Sequence, residues 1–403
     1  MKPTRPHRQT LLVALAFSLL AACSGRGDDL QIDAAFPGGS IKIDRIEGDA
    51  VFLRRDLRDT LGDWFYWAFR VRHAAGRTLT FTFASDSFAA RGPAISTDGG
   101  VKWKWLGREA VKNLTFSHTF APDAGDVRFS MGMPYTEASL DAFLQRHAAS
   151  AALKKETLCQ SEKGRGVELL RFGKLDGEPR LRVFFSARHH ACEMMASYEL
   201  EGIIEAVLAD DETGRWFREN VELRAVPFMD KDGVEVGDQG KNRKPHDHNR
   251  DYAGEPRYAS VAAVKTMLPA WSGGKLKLAL DLHCPWIRGR ENEVLHFIGG
   301  PEAGFWQRAT RLSMLLEELS AKGPLSFHER DNLPFGKSWN TASAGKEKAF
   351  SGWVQTLPGL RIGVGLELPY AISGGQEVNA ESARAFGRTL AAAIRAYLTE
   401  DKG

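Results

Sequence analysis

Hydrophobic and polar positions follow two different patterns in this chain, and the change lies near residue 130. Before it, short runs rich in aromatic and β-branched residues alternate in part with polar residues, with turn-forming glycines between them. Such runs are typical of β-strands, and the clearest ones cover residues 50–53, 64–71 and 79–83. Several short strands separated by turns favour an antiparallel β-sandwich, which we expect over residues 23–130.

After residue 130, apolar runs of strand length alternate with segments of helical periodicity. The predicted strands cover residues 180–185, 221–228, 276–282 and 360–366. The predicted helices cover residues 139–144, with Thr136 as the candidate cap, and residues 193–209, 258–268, 305–319 and 380–398. This alternation predicts an α/β domain over residues 131–403, with a mixed, largely parallel sheet flanked by helices.

Three residues with candidate chemistry lie at or just after the ends of predicted strands: His190, His283 and Glu367. Because ligands of parallel sheets bind at the carboxyl ends of the strands, we expect these side chains to meet at one edge. With Glu193, the two histidines form a known catalytic zinc set that leaves the fourth position open. Alone, the His-x-x-Glu spacing is better explained by a surface histidine and a helix-capping glutamate. His189 competes with His190 for the ligand position, and the spacing to Glu193 favours His190.

The first 22 residues predict a bacterial lipoprotein leader. Three basic residues precede the apolar run 11–20, which is too short to span a bilayer as a stable helix. Residues 20–23, Leu-Ala-Ala-Cys, resemble a lipobox, which implies cleavage before Cys23 and lipidation of this cysteine. An ordinary signal peptide cut after Ala22 and a plain membrane anchor are the alternatives. We expect a lipid-anchored protein on the periplasmic face of the cell envelope, and Ser24 favours the outer membrane.

Charge and cysteine content narrow the possible partners. Residues 1–22 carry three basic and no acidic residues, so without them Lys+Arg falls from 54 to 51 and equals Asp+Glu. A near-neutral chain argues against a nucleic-acid-binding surface. Besides Cys23 there are Cys159, Cys192 and Cys284, which permit one disulfide at most. For Cys192 and Cys284 a bridge, a reactive thiol and a small core residue are all open, and the core role is favoured.

Five segments resemble, in their order, the motifs of zinc metallocarboxypeptidases. They cover residues 187–193, 226–234, 248–252, 281–283 and 365–370. The aromatic-rich β domain ahead of them, joined through residues 133–135, is similar to that of the cytosolic carboxypeptidase branch. In the first domain, core packing or domain contact is favoured for Trp64, Trp103 and Trp105 over a sugar platform.

The resemblance implies one zinc ion, held by His190, Glu193 and His283. It also implies that Glu367 is the general base and acid. Further residues match the family's substrate contacts: Asn249 and Arg250 match the pair that holds the terminal carboxylate of the substrate, and Arg243 is the best match for the arginine that stabilises the oxyanion. For Arg243 a simple solvated basic run is an equal alternative.

The function implied by the resemblance is zinc-dependent removal of the C-terminal residue from peptides in the cell envelope. The alternatives are an amidohydrolase or acylase for small acylamino acids, and a glycan- or protein-binding surface lipoprotein without catalysis. No tyrosine lies between Gly336 and Leu366, so the family's lid tyrosine is missing or replaced, for example by Trp353. The bond before Pro285 is expected to be cis.

Overall fold

The computed structural model describes residues 29–342, 345 and 348–400. The predicted leader, residues 1–22, and the predicted lipidation site Cys23 therefore lie outside the described residues. None of the helices within the described ranges combines the length and the apolarity that a bilayer crossing requires.

Residues 31–130 form nine short strands in two sheets. The strands are β1 (Gln31–Asp33), β2 (Lys42–Glu47), β3 (Ala50–Arg54), β4 (Ala68–Arg72), β5 (Thr78–Phe83), β6 (Ala94–Ser96), β7 (Lys104–Trp105), β8 (Thr115–Thr119) and β9 (Val127–Ser130). One sheet has the order β1-β4-β9-β6-β7 and the other the order β2-β3-β5-β8. Strands β3 and β5 run parallel, whereas the other pairs are antiparallel. The parallel pair arises because the chain crosses into the other sheet, as β4, between these two strands.

Aromatic rings fill the space between these two sheets. Phe81 of β5 lies 5.2 Å from Phe69 of β4 and 5.3 Å from Phe129 of β9, measured between ring centroids. Along β5, buried Leu79, Phe81 and Phe83 alternate with more exposed threonines, which is the period-two pattern of a strand with one face in a core. Burial of each such side chain contributes roughly 1.5–3 kcal/mol. The aromatic-rich sequence therefore folds as the predicted sandwich.

A third sheet, with seven strands, forms the centre of the rest of the molecule. Its strands are β10 (Leu153–Gln160), β11 (Gly166–Gly173), β12 (Leu181–Ala187), β13 (Val221–Val226), β14 (Leu276–His283), β15 (His296–Ile298) and β16 (Ile362–Glu367), in the order β10-β11-β13-β12-β14-β16-β15. The central strands β13, β12, β14 and β16 are parallel, and the outer ones pair antiparallel. A small hairpin, β17 (Ile372–Ser373) and β18 (Gln376–Glu377), follows. The predicted fold class, a mixed and largely parallel sheet, is confirmed.

Helices cover both faces of this sheet. They are α1 (Glu137–Arg146), α2 (Met195–Leu208), α3 (Glu212–Asn220), α4 (Lys231–Val236), α5 (Ala259–Ser272), α6 (Ala303–Ser320), α7 (Phe350–Val354) and α8 (Ala380–Glu400). Helix α1 begins after the predicted cap, Thr136, which forms a reciprocal capping box with Ser139. Val183 and Phe185 of β12 pack into the core shared with α2, α6 and α8, whereas Phe184 packs into the core shared with α5 and α7.

The carboxyl ends of the central strands meet at one edge of the sheet. Parallel pairing places His283, the last residue of β14, directly opposite Glu367, the last residue of β16. The end of β12 lies beside them, because Ala187 pairs with Leu282. Two of the three predicted strand-end residues are therefore neighbours in register, and the third follows the adjacent strand.

Candidate active site

A rigid turn after β12 carries His190 and Glu193. Arg188 adopts a positive φ of 60°, and its buried guanidinium donates to the carbonyl oxygen of Ala191, the carbonyl oxygen of Tyr135 and the hydroxyl of Ser197. The Glu193 N–H donates to the carbonyl oxygen of His190 at 3.2 Å. These bonds hold the strand-to-helix connection in one conformation, with both side chains on the same side.

His190, Glu193 and His283 form a compact cluster of buried ligand atoms. Nδ1 of His190 lies 2.9 Å from Oε1 of Glu193, and Nδ1 of His283 lies 2.7 Å from Oε2. One ligand atom from each of the three residues lies within 4.8 Å of the others. Donors at about 2 Å from a tetrahedral ion lie about 3.3 Å apart, so this spacing fits a metal ion. Imidazole nitrogens with one carboxylate also suit a divalent transition metal.

Two further carboxylates orient the histidine rings. Nε2 of His190 lies 3.2 Å from Asp247, and Nε2 of His283 lies 2.5 Å from Asp281. A carboxylate at Nε2 keeps the proton there and leaves Nδ1 free to bind a metal. Burial alone would lower the pKa of His283, but Asp281 and Glu193 outweigh it and raise that pKa. The sequence analysis did not single out Asp247 or Asp281 for this role.

His189 serves a different purpose from His190. Its ring is fully buried, with Nδ1 2.7 Å from Asp281 and Nε2 2.8 Å from the hydroxyl of Tyr252. His189, Asp281 and His283 also come close enough to be a second candidate metal cluster. However, both nitrogens of His189 already have partners, and Asp281 already binds the ring of His283. In the structure His189 therefore holds Asp281 in position, whereas His190 lies beside Glu193.

A cavity of about 340 Å³ opens beside this cluster, and Glu367 faces it. Glu367 is only 7% exposed, and its Oε2 has no hydrogen-bond partner among the described residues. A buried carboxylate oxygen without a partner is costly unless the site uses it. The cavity therefore contains an acceptor that is free to take a proton from a bound molecule.

Asn249 and Arg250 line the same cavity. The Asn249 side-chain oxygen accepts from the N–H of Phe350 at 3.1 Å, which fixes the orientation of the amide. Its nitrogen lies 3.0 Å from Nε2 of His283, so one of its two N–H groups is directed at that ring. The amide carries a second N–H donor, which stays available to a ligand. Arg250 donates to the Asn249 carbonyl oxygen at 3.1 Å and presents its guanidinium to the cavity.

Comparison with known proteins identifies the fold. A crystal structure of a metallo-carboxypeptidase from Burkholderia cenocepacia superimposes with a TM-score of 0.74 and 21% identity, covering 92% of this chain and 99% of that one. The chain has the metallo-carboxypeptidase fold.

Sequence comparison extends the metallo-carboxypeptidase similarity. An uncharacterized protein of Zymomonas mobilis is 27% identical over 56% of this chain and 60% of its own length. Cytosolic carboxypeptidase 2 of Xenopus tropicalis is 25% identical over 56% of this chain, which spans only 27% of that relative. No family model matches the chain. The predicted resemblance to metallocarboxypeptidases, including cytosolic carboxypeptidases, is confirmed.

Within this metallo-carboxypeptidase fold, Arg243 does not line the cavity beside the His190, Glu193 and His283 cluster. Its guanidinium is only 11% exposed and is bound by Asp230, by Asp238 at 2.8 Å and by Asp59 at 3.7 Å. Burial opposes the charge, but these carboxylates outweigh it and raise the pKa of Arg243. The structure thus brings His190, Glu193, His283, Glu367, Asn249 and Arg250 together and leaves Arg243 outside the group.

Lys241 is the functional candidate that the sequence analysis missed. Its Nζ lies 2.6 Å from Oε1 of Glu193 and donates to the carbonyl oxygen of Cys284 at 2.9 Å. Burial alone would lower the pKa of Lys241, but Glu193 and Glu367 outweigh it and raise that pKa. The residue belongs to the same basic run as Arg243, and only the direction of each side chain distinguishes them.

Tryptophans contribute to the cavity wall in an unexpected way. Trp64 lines the cavity and packs against Trp286, with ring centroids 4.9 Å apart, so it is not only a core or contact residue. Trp339 lines the cavity as well. Trp353, the suggested replacement for the lid tyrosine, instead lines a separate cavity of about 690 Å³ with Tyr252.

The cysteines near the site behave as core residues. Cys192 and Cys284 are buried free thiols, and burial raises the pKa of Cys192 to about 12. Such a thiol stays protonated at neutral pH, which agrees with the favoured core role. The expected cis bond before Pro285 is wrong, because the one cis bond among the described residues precedes Pro245.

Proposed function

We propose that the protein is a zinc-dependent metallocarboxypeptidase that hydrolyses the last peptide bond of peptides with a free C-terminal carboxylate. One observation carries this proposal: the cluster of His190, Glu193 and His283 lies at the same cavity as Glu367, whose Oε2 has no hydrogen-bond partner among the described residues. A ligand set of two histidines and one glutamate with an open position is the one that zinc hydrolases use. When bound, zinc supplies the Lewis acidity that lowers the pKa of water and polarises a carbonyl group.

Glu367 is the proposed general base and acid. Its free Oε2 accepts a proton from the attacking water and then passes that proton to the nitrogen of the leaving amino acid. Glu367 pairs in register with His283, so its carboxylate lies close to the His190, Glu193 and His283 cluster but is not one of the three clustered ligands. Because the oxygen is buried, the proton is transferred between groups that are shielded from bulk water.

Asn249 and Arg250 are the proposed binding pair for the terminal carboxylate of the peptide. The guanidinium of arginine binds a carboxylate through two parallel N–H donors, and the second amide N–H of Asn249 adds a further donor. The anchoring of the Asn249 oxygen by Phe350 preorganises this amide. A substrate whose terminus is blocked as an amide would lose the charge that these donors select.

The test uses purified protein with peptides that end in a free carboxylate. Hydrolysis should be lost with a zinc chelator and restored by added zinc. Glu367→Gln should retain one zinc per chain but lose on the order of 10²–10⁴-fold in kcat, because only the proton-transfer group has changed. Full activity of Glu367→Gln would contradict the assignment, and so would hydrolysis that resists removal of the metal.

Substrate length and end group separate this function from acylase activity. A carboxypeptidase should cleave longer peptides, leave C-terminally amidated peptides intact and release free amino acids one at a time. Preferential hydrolysis of small N-acylamino acids would instead support an acylase. Arg250→Met should raise KM for free-carboxylate peptides, because it removes the charged half of the carboxylate-binding pair.

We also propose that the chain is a lipoprotein anchored through Cys23 on the periplasmic face of the cell envelope, in the outer membrane, where its substrates are peptides of that compartment. The support is the lipobox-like sequence at residues 20–23. Labelling of growing cells with a palmitate analogue should mark the wild-type protein in the membrane fraction, whereas Cys23→Ser should be unlabelled. A labelled Cys23→Ser protein would contradict this anchor.

A further inference from the structure

We propose that Lys241 is the cation that stabilises the oxyanion of the tetrahedral intermediate, and that the N-terminal domain holds it in position. This inference rests on the proposed carboxypeptidase function and assigns one more residue to it. Lys241 lines the cavity together with Glu367, Asn249 and Arg250. It therefore shares a space with every group that the proposed reaction needs.

The position of the ammonium group fits this task. Nζ lies 2.6 Å from Oε1 of Glu193, a proposed metal ligand, so the positive charge lies beside the proposed metal site, at which the substrate carbonyl would be polarised. Lys241 is 9% exposed, and in such a low-dielectric site a fixed charge acts more strongly than in water. The group donates a hydrogen bond and keeps its proton throughout, so no covalent step is assigned to it.

Lys241 also has a donor to spare. An ammonium group has three N–H donors. In the described part of the chain, two of them are directed to Glu193 and to the carbonyl oxygen of Cys284. Nζ lies 5.1 Å from the ring centroid of Trp64, whose electron-rich face stabilises the charge without accepting a conventional hydrogen bond. The third donor can therefore serve an oxyanion in the cavity.

Arg243 cannot take this role without breaking its own contacts. Its two terminal nitrogens bind Asp238 and Asp230, on the side of the loop away from the cavity. If the guanidinium moved to the cavity, the buried carboxylates of Asp238 (7% exposed) and Asp230 (2% exposed) would each lose this ion-pair partner. The loss of a buried ion-pair partner is strongly unfavourable. The two basic residues of this loop thus have separate tasks.

Residues of the N-terminal domain bind the loop that carries Lys241. The Asp59 carboxylate accepts the N–H groups of Gln239 and Gly240 at 3.1 and 2.9 Å. The Thr60 hydroxyl donates to the carbonyl oxygen of Lys241 itself at 2.7 Å. Backbone bonds continue on either side, from Leu61 N–H to Asn242 and from Lys244 N–H to Asp59. The sandwich therefore fixes the backbone position from which the lysine reaches the cavity.

Gly240 brings the loop against the metal-binding segment. Its φ is +78°, and a Cβ there would lie 2.2 Å from the backbone nitrogen of Ala191, which follows His190. Only glycine allows this approach, because it both accepts the left-handed conformation and lacks the clashing atom. Lys241 is the next residue along the chain, so the close approach at Gly240 brings its Nζ within reach of Glu193.

The experiment compares Lys241→Met with Lys241→Arg and with the surface control Lys154→Met, using peptide hydrolysis and calorimetry. Lys241→Met should lower kcat/KM about 10²–10³-fold, as removal of an oxyanion donor does. It should weaken binding of a phosphinic peptide, a tetrahedral analogue, by a similar factor, while binding of a free amino acid product changes little. Zinc stoichiometry of the folded enzyme should stay at the wild-type value, the thermal midpoint should fall because Glu193 loses a buried ion-pair partner, and Lys241→Arg should recover part of both losses.

Trp64 tests the positioning role of the N-terminal domain. Trp64→Leu should lower kcat and the affinity for the phosphinic peptide by about tenfold with little change in KM, and Trp64→Phe should restore most of the loss, because a phenyl ring keeps the cation–π contact. An equal loss in both variants, or an effect on KM alone, would contradict this role.

The outcomes distinguish the inference from the proposed function. A Lys241→Met enzyme with wild-type kcat/KM and wild-type affinity for the phosphinic peptide would overturn the role of Lys241, while zinc-dependent hydrolysis by the wild type would stand. A wild-type protein that neither hydrolyses peptides nor binds the phosphinic peptide would overturn both. Loss of zinc from folded Lys241→Met, in parallel with the loss of hydrolysis, would assign the lysine to support of the metal site instead.

Discussion

Arg243 provides the clearest quantitative test, because the sequence and the geometry give it different tasks. Replacing it by methionine removes a guanidinium that is 11% exposed and bound by Asp230, Asp238 and Asp59. Breaking a buried ion pair by removing one partner typically destabilises a protein by about 3–5 kcal/mol. We therefore expect a large effect on folding and none on the chemistry of the folded enzyme.

The size of the expected stability loss depends on the partners that the three carboxylates keep in Arg243→Met. Asp238 keeps Arg58 at 2.9 Å, Asp230 keeps the N–H of Gly233 at 2.9 Å, and Asp59 keeps two backbone N–H groups. No carboxylate is left entirely without a partner, which places the expected loss at the lower end, about 3 kcal/mol. Arg311→Met is the matched control, because its pair with Glu400 is about half exposed and should be worth less than about 1 kcal/mol.

The assay is urea unfolding followed by tryptophan fluorescence, at neutral pH, for wild type and both variants. Arg243→Met should lower the midpoint at an unchanged slope, which reports a loss of stability and not a change of the unfolded state. Its kcat/KM, measured well below the unfolding transition, should stay close to the wild-type value. Wild-type stability combined with a 100-fold loss of kcat/KM, the size expected for an oxyanion donor, would refute the reasoning and return Arg243 to the active site.

Three further predictions concern groups around the site. Burial lowers the pKa of His248 from 6.5 to about 4. Between these pH values the unfolded chain binds more protons than the folded protein, so the free energy of unfolding falls by about 3 kcal/mol as the pH drops through this range. In His248→Phe the urea midpoint should therefore depend less on pH between 6.5 and 4. Gly387→Ala puts a Cβ 2.1 Å from the Glu199 carbonyl oxygen, where α8 crosses α2, and should lower the unfolding free energy by about 1–3 kcal/mol. Gly240→Ala should weaken zinc binding about 10–100-fold in a chelator competition, whereas Gly76→Ala, with a φ of +72° but open space, should not. An unchanged pH dependence in His248→Phe, an unchanged urea midpoint in Gly387→Ala, or equal zinc affinities of Gly240→Ala and Gly76→Ala would contradict these expectations.

The position of the site in the fold could be predicted because strand ends are a topological property. Apolar runs that alternate with helical segments predict parallel strands, and parallel strands end at the same edge. His283 and Glu367 close two such runs, so the pattern predicted that they lie at one edge; that they pair directly in register is visible only in the structure. His190 follows the neighbouring strand β12, and the turn that Arg188 fixes brings its side chain to His283 and Glu193.

Side-chain direction in loops could not be predicted in the same way. Lys241 and Arg243 are two residues apart in one basic run, and no periodicity applies to a loop. What separates them is Asp59, about 180 residues away in sequence, which binds the backbone on one side and Arg243 on the other. Likewise Trp64 lies in an aromatic run typical of a core strand, yet it lines the cavity because Trp286 comes to it from the other domain.

Edge strands were also missed, for a physical reason. β10 is largely exposed along its length and lacks the apolar run that marks the central strands. β15 has three residues, which is too short for any pattern to show. Both lie at the ends of the seven-stranded sheet. Missing β15 also meant missing Ile298, its last residue, which lines the cavity.

The contacts between residues 59–61 and the loop 239–244 have a consequence for engineering this protein. A chimera that takes its sandwich from one relative and its α/β part from another would separate two segments that form one hydrogen-bonded unit. Such a chimera should fold in each half and still be a poor catalyst, unless residues 239–244 are exchanged together with the sandwich. The unit that has to be exchanged together to keep activity therefore does not end at the boundary between the sandwich and the α/β part.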